Sequence, residues 1–107
     1  MNKSKRQVVI AGNWKMNMTP SQTSAFIKEL APKVQGLNGC NVVLCVPYVD
    51  IANAVEASKG TSIEIGAENV HMEPKGAYTG EISGEMLKEC GVKYVIVGHS
   101  ERRQYFG

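Results

Sequence analysis

The chain has 107 residues, room for one small domain at most, and a chain this short covers its apolar surface only where its layers close on one another. Its 12 lysines and arginines face 10 acidic residues, a near balance that creates no long-range field suited to nucleic acid or a membrane surface, so any anion must be gripped locally. The cysteines Cys40, Cys45 and Cys90 are odd in number and lack Cys-x-x-Cys spacing, a usage that fits a reducing compartment.

The basic start Lys3, Lys5, Arg6 runs into an apolar stretch, 8–11, that is too brief for a signal-peptide core or a membrane span, which argues for a cytoplasmic protein. That stretch reads as a first strand. Thr19-Pro20-Ser21-Gln22 then supplies a capping hydroxyl, a proline at the first helical position and a glutamine three residues after the cap, so a helix should start there. Phe26, Ile27, Leu30, Ala31 and Val34 give it one apolar stripe, Pro32 is expected to kink or end it, and 36–39 is the stop.

A second strand is expected at 42–46 and a second helix over about 50–59, with Ile51, Ala54 and Val55 inward and Gly60 in the cap position. Residues 63–67 read as a third strand; Ile63-Glu64-Ile65 alternates, whereas the other three strands are near-continuous apolar runs of the kind covered on both faces. A loop over 71–80 is long for a strand-to-helix connection. Ser83 then caps a short helix over 84–90 with Met86, Leu87 and Cys90 inward and Gly91 as its terminator, before a fourth strand at 94–97 and a helix start near Ser100.

Strands alternating with helices make an α/β fold of parallel βα units, whose right-handed crossovers bring ligands to the loops at the strands' C-terminal ends. Two of those mouths carry polar groups. Lys15 follows the first strand in Gly12-Asn13-Trp14-Lys15-Met16-Asn17, either as an ordinary exposed lysine or as a partner for an anion or oxyanion. His99 follows the fourth in Gly98-His99-Ser100-Glu101-Arg102-Arg103, at a helix start whose partial positive charge disfavours imidazolium and leaves a neutral donor suited to enediolate formation. On spacing alone a single histidine in a turn is more often a structural, hydrogen-bonded residue. Glu101 is well placed as a first-turn acid whether or not it handles protons, and Trp14 reads as a packing residue.

Ala11-Gly12-Asn13-Trp14-Lys15-Met16-Asn17 and Gly98-His99-Ser100-Glu101-Arg102-Arg103 together resemble the two N-terminal signatures of the triosephosphate isomerase family. The intervening Ala67-Glu68-Asn69-Val70 and Gly76-Ala77-Tyr78-Thr79-Gly80-Glu81-Ile82-Ser83 resemble its third loop, so the likeness spans the chain. It implies that residues 1–107 are a partial domain, strands 1–4 and the start of helix 4, forming the N-terminal half of a (β/α)8 barrel that needs about 200 residues or more. It also implies interconversion of dihydroxyacetone phosphate and glyceraldehyde 3-phosphate by enediolate-forming proton transfer, with no cofactor and no metal.

In that family His99 would polarise the carbonyl as the electrophile, Lys15 would supply positive charge to substrate and oxyanion, Asn13 would position the substrate, and Glu101 could share in proton handling. The third loop would reach a neighbouring subunit of a homodimer, bringing Thr79 near the partner's site and setting Glu81 against Arg102; His71 matches no catalytic position. The family's glutamate base, closing loop and phosphate site belong to sequence after Gly107, so the chain alone is expected to be inactive and, with two open sheet edges and a bare inner face, to fold weakly. The rival readings are a flavodoxin-like binding module with the same element order and a non-catalytic assembly fragment.

Overall fold

A computed structural model describes residues 7–107; the basic Lys3, Lys5 and Arg6 lie outside the described residues. The elements follow the expected order: β1 (Val8–Asn13), α1 (Pro20–Val34), β2 (Cys40–Val46), a 3-10 turn (Tyr48–Asp50), α2 (Ile51–Ser58), β3 (Ile63–Ala67), α3 (Gly84–Glu89), β4 (Tyr94–Val95) and α4 (Ser100–Phe106). All neighbouring strands pair in parallel and the sheet order is β1-β2-β3-β4. That order decides between the two architectures the sequence left open. A flavodoxin-like sheet places its first strand inside the sheet, whereas strictly sequential right-handed crossovers put every helix on one face and curl the sheet into a barrel wall.

The core therefore sits between sheet and helices. Leu44 and Val46 of β2 and Ile63, Ile65 and Ala67 of β3 pack against Ile27 of α1, Ile51 and Ala54 of α2 and Leu87 of α3, all of them buried. α1 begins as expected, with the Thr19 hydroxyl accepting from the Gln22 N–H and the Gln22 side chain accepting from the Thr19 N–H. Pro32, expected to kink or end α1, stands in its last turn. The helix continues to Val34, because a proline in its last turn costs one bond while the Gln35 N–H still closes on the Ala31 carbonyl. Phe26 leaves the inner stripe and stands partly exposed, its ring edge-on to Trp14 at 5.4 Å between centroids, which gives Trp14 its packing role.

Three further expectations are corrected. β1 is not covered on both faces: it is a sheet edge, and Val8 and Ile10 are 53% and 58% exposed. In α3 only Leu87 is buried, while Met86 and Cys90 are exposed, since a helix of six residues turns a single position fully onto the core. β4 is two residues long instead of four, although the N–H groups of Lys93 and Ile96 still donate to the Ile65 and Ala67 carbonyls; having no neighbour on its far side, it pairs only where it faces β3.

The inner face of the sheet has its own order. The Gln7 amide donates to the Asn41 Oδ1 at 3.1 Å, the Asn41 amide donates to the Tyr94 hydroxyl at 3.2 Å, and that hydroxyl donates to the Glu64 Oε1 at 3.2 Å. Glu64, the residue that gave the third strand its alternation, thus points into a polar floor on the face opposite the helices. Just above it Gly66 is held between strands: a methyl group there would lie 2.8 Å from the Cys45 Sγ and 3.2 Å from the Tyr94 carbonyl oxygen. The radius of gyration is 14.8 Å, against about 13 Å for a compact chain of this size, which reflects a wall open on one side. Among the described residues no helix is long and apolar enough to cross a membrane.

Candidate active site

The C-terminal ends of the strands converge on a cavity of about 610 Å³ lined by Asn13, Lys15, Glu68, His99 and Glu101, with Glu81 and Arg102 also on its wall. Each side chain arrives through local geometry. Asn13 closes β1, and its Oδ1 accepts the Lys15 N–H at 3.0 Å, a tight turn that holds Lys15 in the left-handed region at φ 58°. The Trp14 N–H donates to the Cys45 carbonyl at 3.0 Å, continuing the β1–β2 ladder one residue past the strand. A non-glycine residue in that conformation is strained, and such strain persists where surrounding bonds over-determine it.

Lys15 Nζ lies 2.7 Å from Glu101 Oε1, with the two side chains 53% and 45% exposed. The hydrogen bond and charge of Glu101 push the Lys15 ammonium above its ordinary value. The same bond from Lys15 holds the Glu101 carboxyl below its usual range against the opposing effect of burial. Both groups are charged at neutral pH and both remain wet, so the pair orients Lys15 more than it stabilises the fold.

His99 is the N-cap of α4, and its Nδ1 accepts the Glu101 N–H at 3.0 Å. Glu101 Oε2 stands 3.7 Å from the same nitrogen, too long to compete with that bond. A nitrogen that accepts holds no proton, so the ring proton is on Nε2, leaving a neutral donor. The helix-start argument and the hydrogen bond agree.

The remaining expected site residues divide. Within the chain Glu81 lies 3.8 Å from His71 Nδ1, and the Arg102 guanidinium stacks over Phe106 at 5.0 Å; they share a cavity wall without forming a pair. Thr79 stands on the exposed loop and does not line the cavity, whereas Gly80 and Glu81, next in sequence, do. His71 packs against Tyr78 at 4.2 Å between ring centroids, and its N–H closes the base of the loop on the Ile82 carbonyl.

Glu68 is the residue that sequence reasoning passed over as a site, although its place directly after β3 is the same signal that singled out Asn13 and His99. Burial pushes its carboxyl up to about 7; the Lys15 backbone N–H opposes the shift, and the charges of Asp50 and Glu101 add to it. Nearby, the Tyr48 hydroxyl donates to the Asn69 carbonyl at 2.6 Å, tying the loops after β2 and β3 together.

The comparisons with known proteins point one way. The sequence model described as triosephosphate isomerase matches residues 8–107. Triosephosphate isomerase of Synechococcus sp. (strain JA-3-3Ab) is 50% identical over 107 residues, covering 95% of this chain and 42% of the relative. That of Clostridium novyi (strain NT) is 55% identical over 102 residues, covering 95% and 40%. The crystal structure of triosephosphate isomerase from Bartonella henselae superposes with a TM-score of 0.86 at 38% identity, covering 94% of this chain and 41% of that one. The chain thus spans about two fifths of the length of the curated relatives it matches.

Proposed function

The chain belongs to the triosephosphate isomerase family, and from that premise we propose that it supplies the carbonyl-polarising side of an isomerase that interconverts dihydroxyacetone phosphate and glyceraldehyde 3-phosphate. The observation that carries this reading is the bond from the Glu101 N–H to His99 Nδ1, which leaves Nε2–H as a fixed neutral donor in the cavity that Lys15 also lines. A proton next to a carbonyl leaves only when the charge growing on oxygen meets fixed donors. His99 and Lys15 are such donors, one without charge and one cationic, and the Asn13 side chain holds the turn that aims Lys15. Glu101 orients both: its backbone sets the His99 tautomer and its carboxylate anchors the Lys15 ammonium.

The acid residue that removes the proton has no counterpart in the family signatures these 107 residues match, so the chain alone turns over no substrate usefully. General-base catalysis contributes about a hundredfold to ten-thousandfold, and a wall open on one side cannot keep water from the intermediate. In the assembled enzyme, a cytoplasmic homodimer, the exposed loop bearing Thr79 and Glu81 reaches toward the partner, with Arg102 as the cation that meets Glu81.

A coupled assay tests this in two steps. The chain alone is expected to show no turnover above buffer once host enzyme is excluded. Joined to the part of the Synechococcus relative that it does not match, it is expected to gain turnover that His99→Gln removes. Association without activity would instead support an assembly piece, and turnover by the chain alone would assign the base to one of its own residues.

A further inference from the structure

The sheet face turned away from the helices carries a charge that the chain does not match. Asn41 of β2, Glu64 of β3 and Tyr94 of β4 stand there half-buried. The Asn41 amide donates to the Tyr94 hydroxyl and that hydroxyl donates to Glu64 Oε1, each at 3.2 Å, while Gln7 donates to Asn41 from just before β1. Three of these four side chains are neutral, and Glu64 alone is an acid. Among the described residues the lysine–carboxylate pairs are Lys15–Glu101, Lys33–Glu29 and Lys59–Glu56, so no cation meets Glu64. In the wall by itself water still reaches this face. The Bartonella structure on which the wall superposes is longer, the chain covering 41% of it, and the interior of a closed barrel is filled by packed side chains. Closure therefore takes Glu64 out of water. That step costs a carboxylate far more than one neutral hydrogen bond returns, unless a cation is enclosed with it.

We propose that this polar floor is the docking surface for the segment that closes the barrel, and that the segment presents a lysine or arginine along the barrel axis to Glu64. Charge complementarity carries the choice of partner: the floor holds one acid, already oriented by Tyr94, and an apolar segment laid over it would enclose that acid without a counter-charge. The place of the cation follows from barrel geometry. Each interior layer draws its side chains from alternate strands, so a residue of β3 shares its layer with odd-numbered strands, and the cation belongs on strand five or seven. Glu64 is the second residue of β3, toward the end opposite the mouths that bear Lys15 and His99. The pairing is thus independent of the reaction proposed for those mouths.

The test reads urea unfolding at pH 7 of the chain joined to the part of the Synechococcus relative that it does not match. Glu64→Gln keeps an acceptor for the Tyr94 hydroxyl and removes the charge, so the urea midpoint is expected to fall by about 1 M, since a cation is left enclosed without its partner. Each inward lysine or arginine of strands five and seven is then replaced by methionine, alone and together with Glu64→Met. At one of these positions the double variant should regain about half or more of the summed losses, as when an ion pair is exchanged for apolar packing. Where a single variant does not fold, its double variant is read instead: recovered folding supports the pair, and failure to fold overturns it. A Glu64→Gln midpoint equal to the parent's, or losses that simply add at every basic position, would leave Glu64 as an acceptor for Tyr94 and overturn the proposal. So would coupling to Lys3, Lys5 or Arg6 instead, which would assign the cation to the chain's own start. A joined parent that does not unfold cooperatively would also overturn it, because the floor would then not accept that wall. Isomerase turnover, present or absent, changes none of these outcomes.

Discussion

The backbone N–H of Glu101 donates to His99 Nδ1 over 3.0 Å, so one residue of α4 dictates which nitrogen of its N-cap carries the proton. The chemistry proposed for the site depends on that choice. In the assembled isomerase, His99→Gln keeps a donor but loses its aim, and kcat is expected to fall about a hundredfold to a thousandfold with KM changed far less. Steady-state kinetics check it, and a kcat within a few-fold of the parent would remove His99 from the chemistry.

A second expectation concerns the Lys15–Glu101 pair. The Glu101 carboxyl lies below its ordinary value, so its contribution is present above pH 4.5 and is lost as pH falls through the lowered value. Lys15 lies above its ordinary value, so its contribution is present below pH 10.5 and is lost as pH rises through the raised one. Between these limits the pair is constant. Glu101→Gln removes the cause of the Lys15 shift, so at pH 9 Lys15 should react faster with an amine-selective reagent than in the parent, and the difference should shrink in high salt. Equal labelling rates, read by mass spectrometry, would show that the 2.7 Å contact does not govern Lys15 in solution.

Glu68 has the opposite sign. Its folded value, about 7, lies above the ordinary 4.5, so the folded state keeps a proton that the unfolded state has lost. Its contribution is full below pH 4.5 and disappears as pH rises toward 7 and beyond. Urea midpoints of the assembled protein should therefore fall between pH 5 and 7.5, and Glu68→Gln should flatten that slope. An unchanged slope in the variant would place the pH dependence elsewhere.

Much of this was legible in the residues. The capping box at Thr19 and Gln22, the Ile63–Ala67 strand and the mouths bearing Asn13, Lys15 and His99 all rest on local rules, and local rules act on a chain of any length. What escaped depends on neighbours distant in sequence. Val8 and Ile10 read as doubly covered because apolar composition does not say whether a strand is central or at an edge. Glu68 passed unnoticed because its character comes first from burial, with Asp50 and Glu101, 18 and 33 residues away in number, adding to it, and only the fold creates either. Met86 looked inward by periodicity, but a six-residue helix offers too short a stripe for periodicity to decide.

Gly66 offers a test of packing. A methyl group at that position meets the Cys45 sulfur at 2.8 Å and the Tyr94 backbone at 3.2 Å, and a backbone atom cannot turn aside as a side chain can. Gly66→Ala is expected to cost about 1–3 kcal/mol in chemical denaturation of the assembled protein. A cost within error of zero would mean that β3 and β4 separate there more readily than their shared Ala67–Val95 register indicates.

The polar floor has a consequence for how the chain finds its alignment. Gln7, Asn41, Tyr94 and Glu64 reach one another only when all four strands stand in their native offsets, and sliding any strand by a single residue would send its member through to the helix side. Apolar runs such as 42–46 tolerate slippage, since valine replaces valine. A chain of hydrogen bonds does not, so this cluster works as a vernier: the four strands can settle their offsets against one another by polar pairing where apolar packing alone would let them slide.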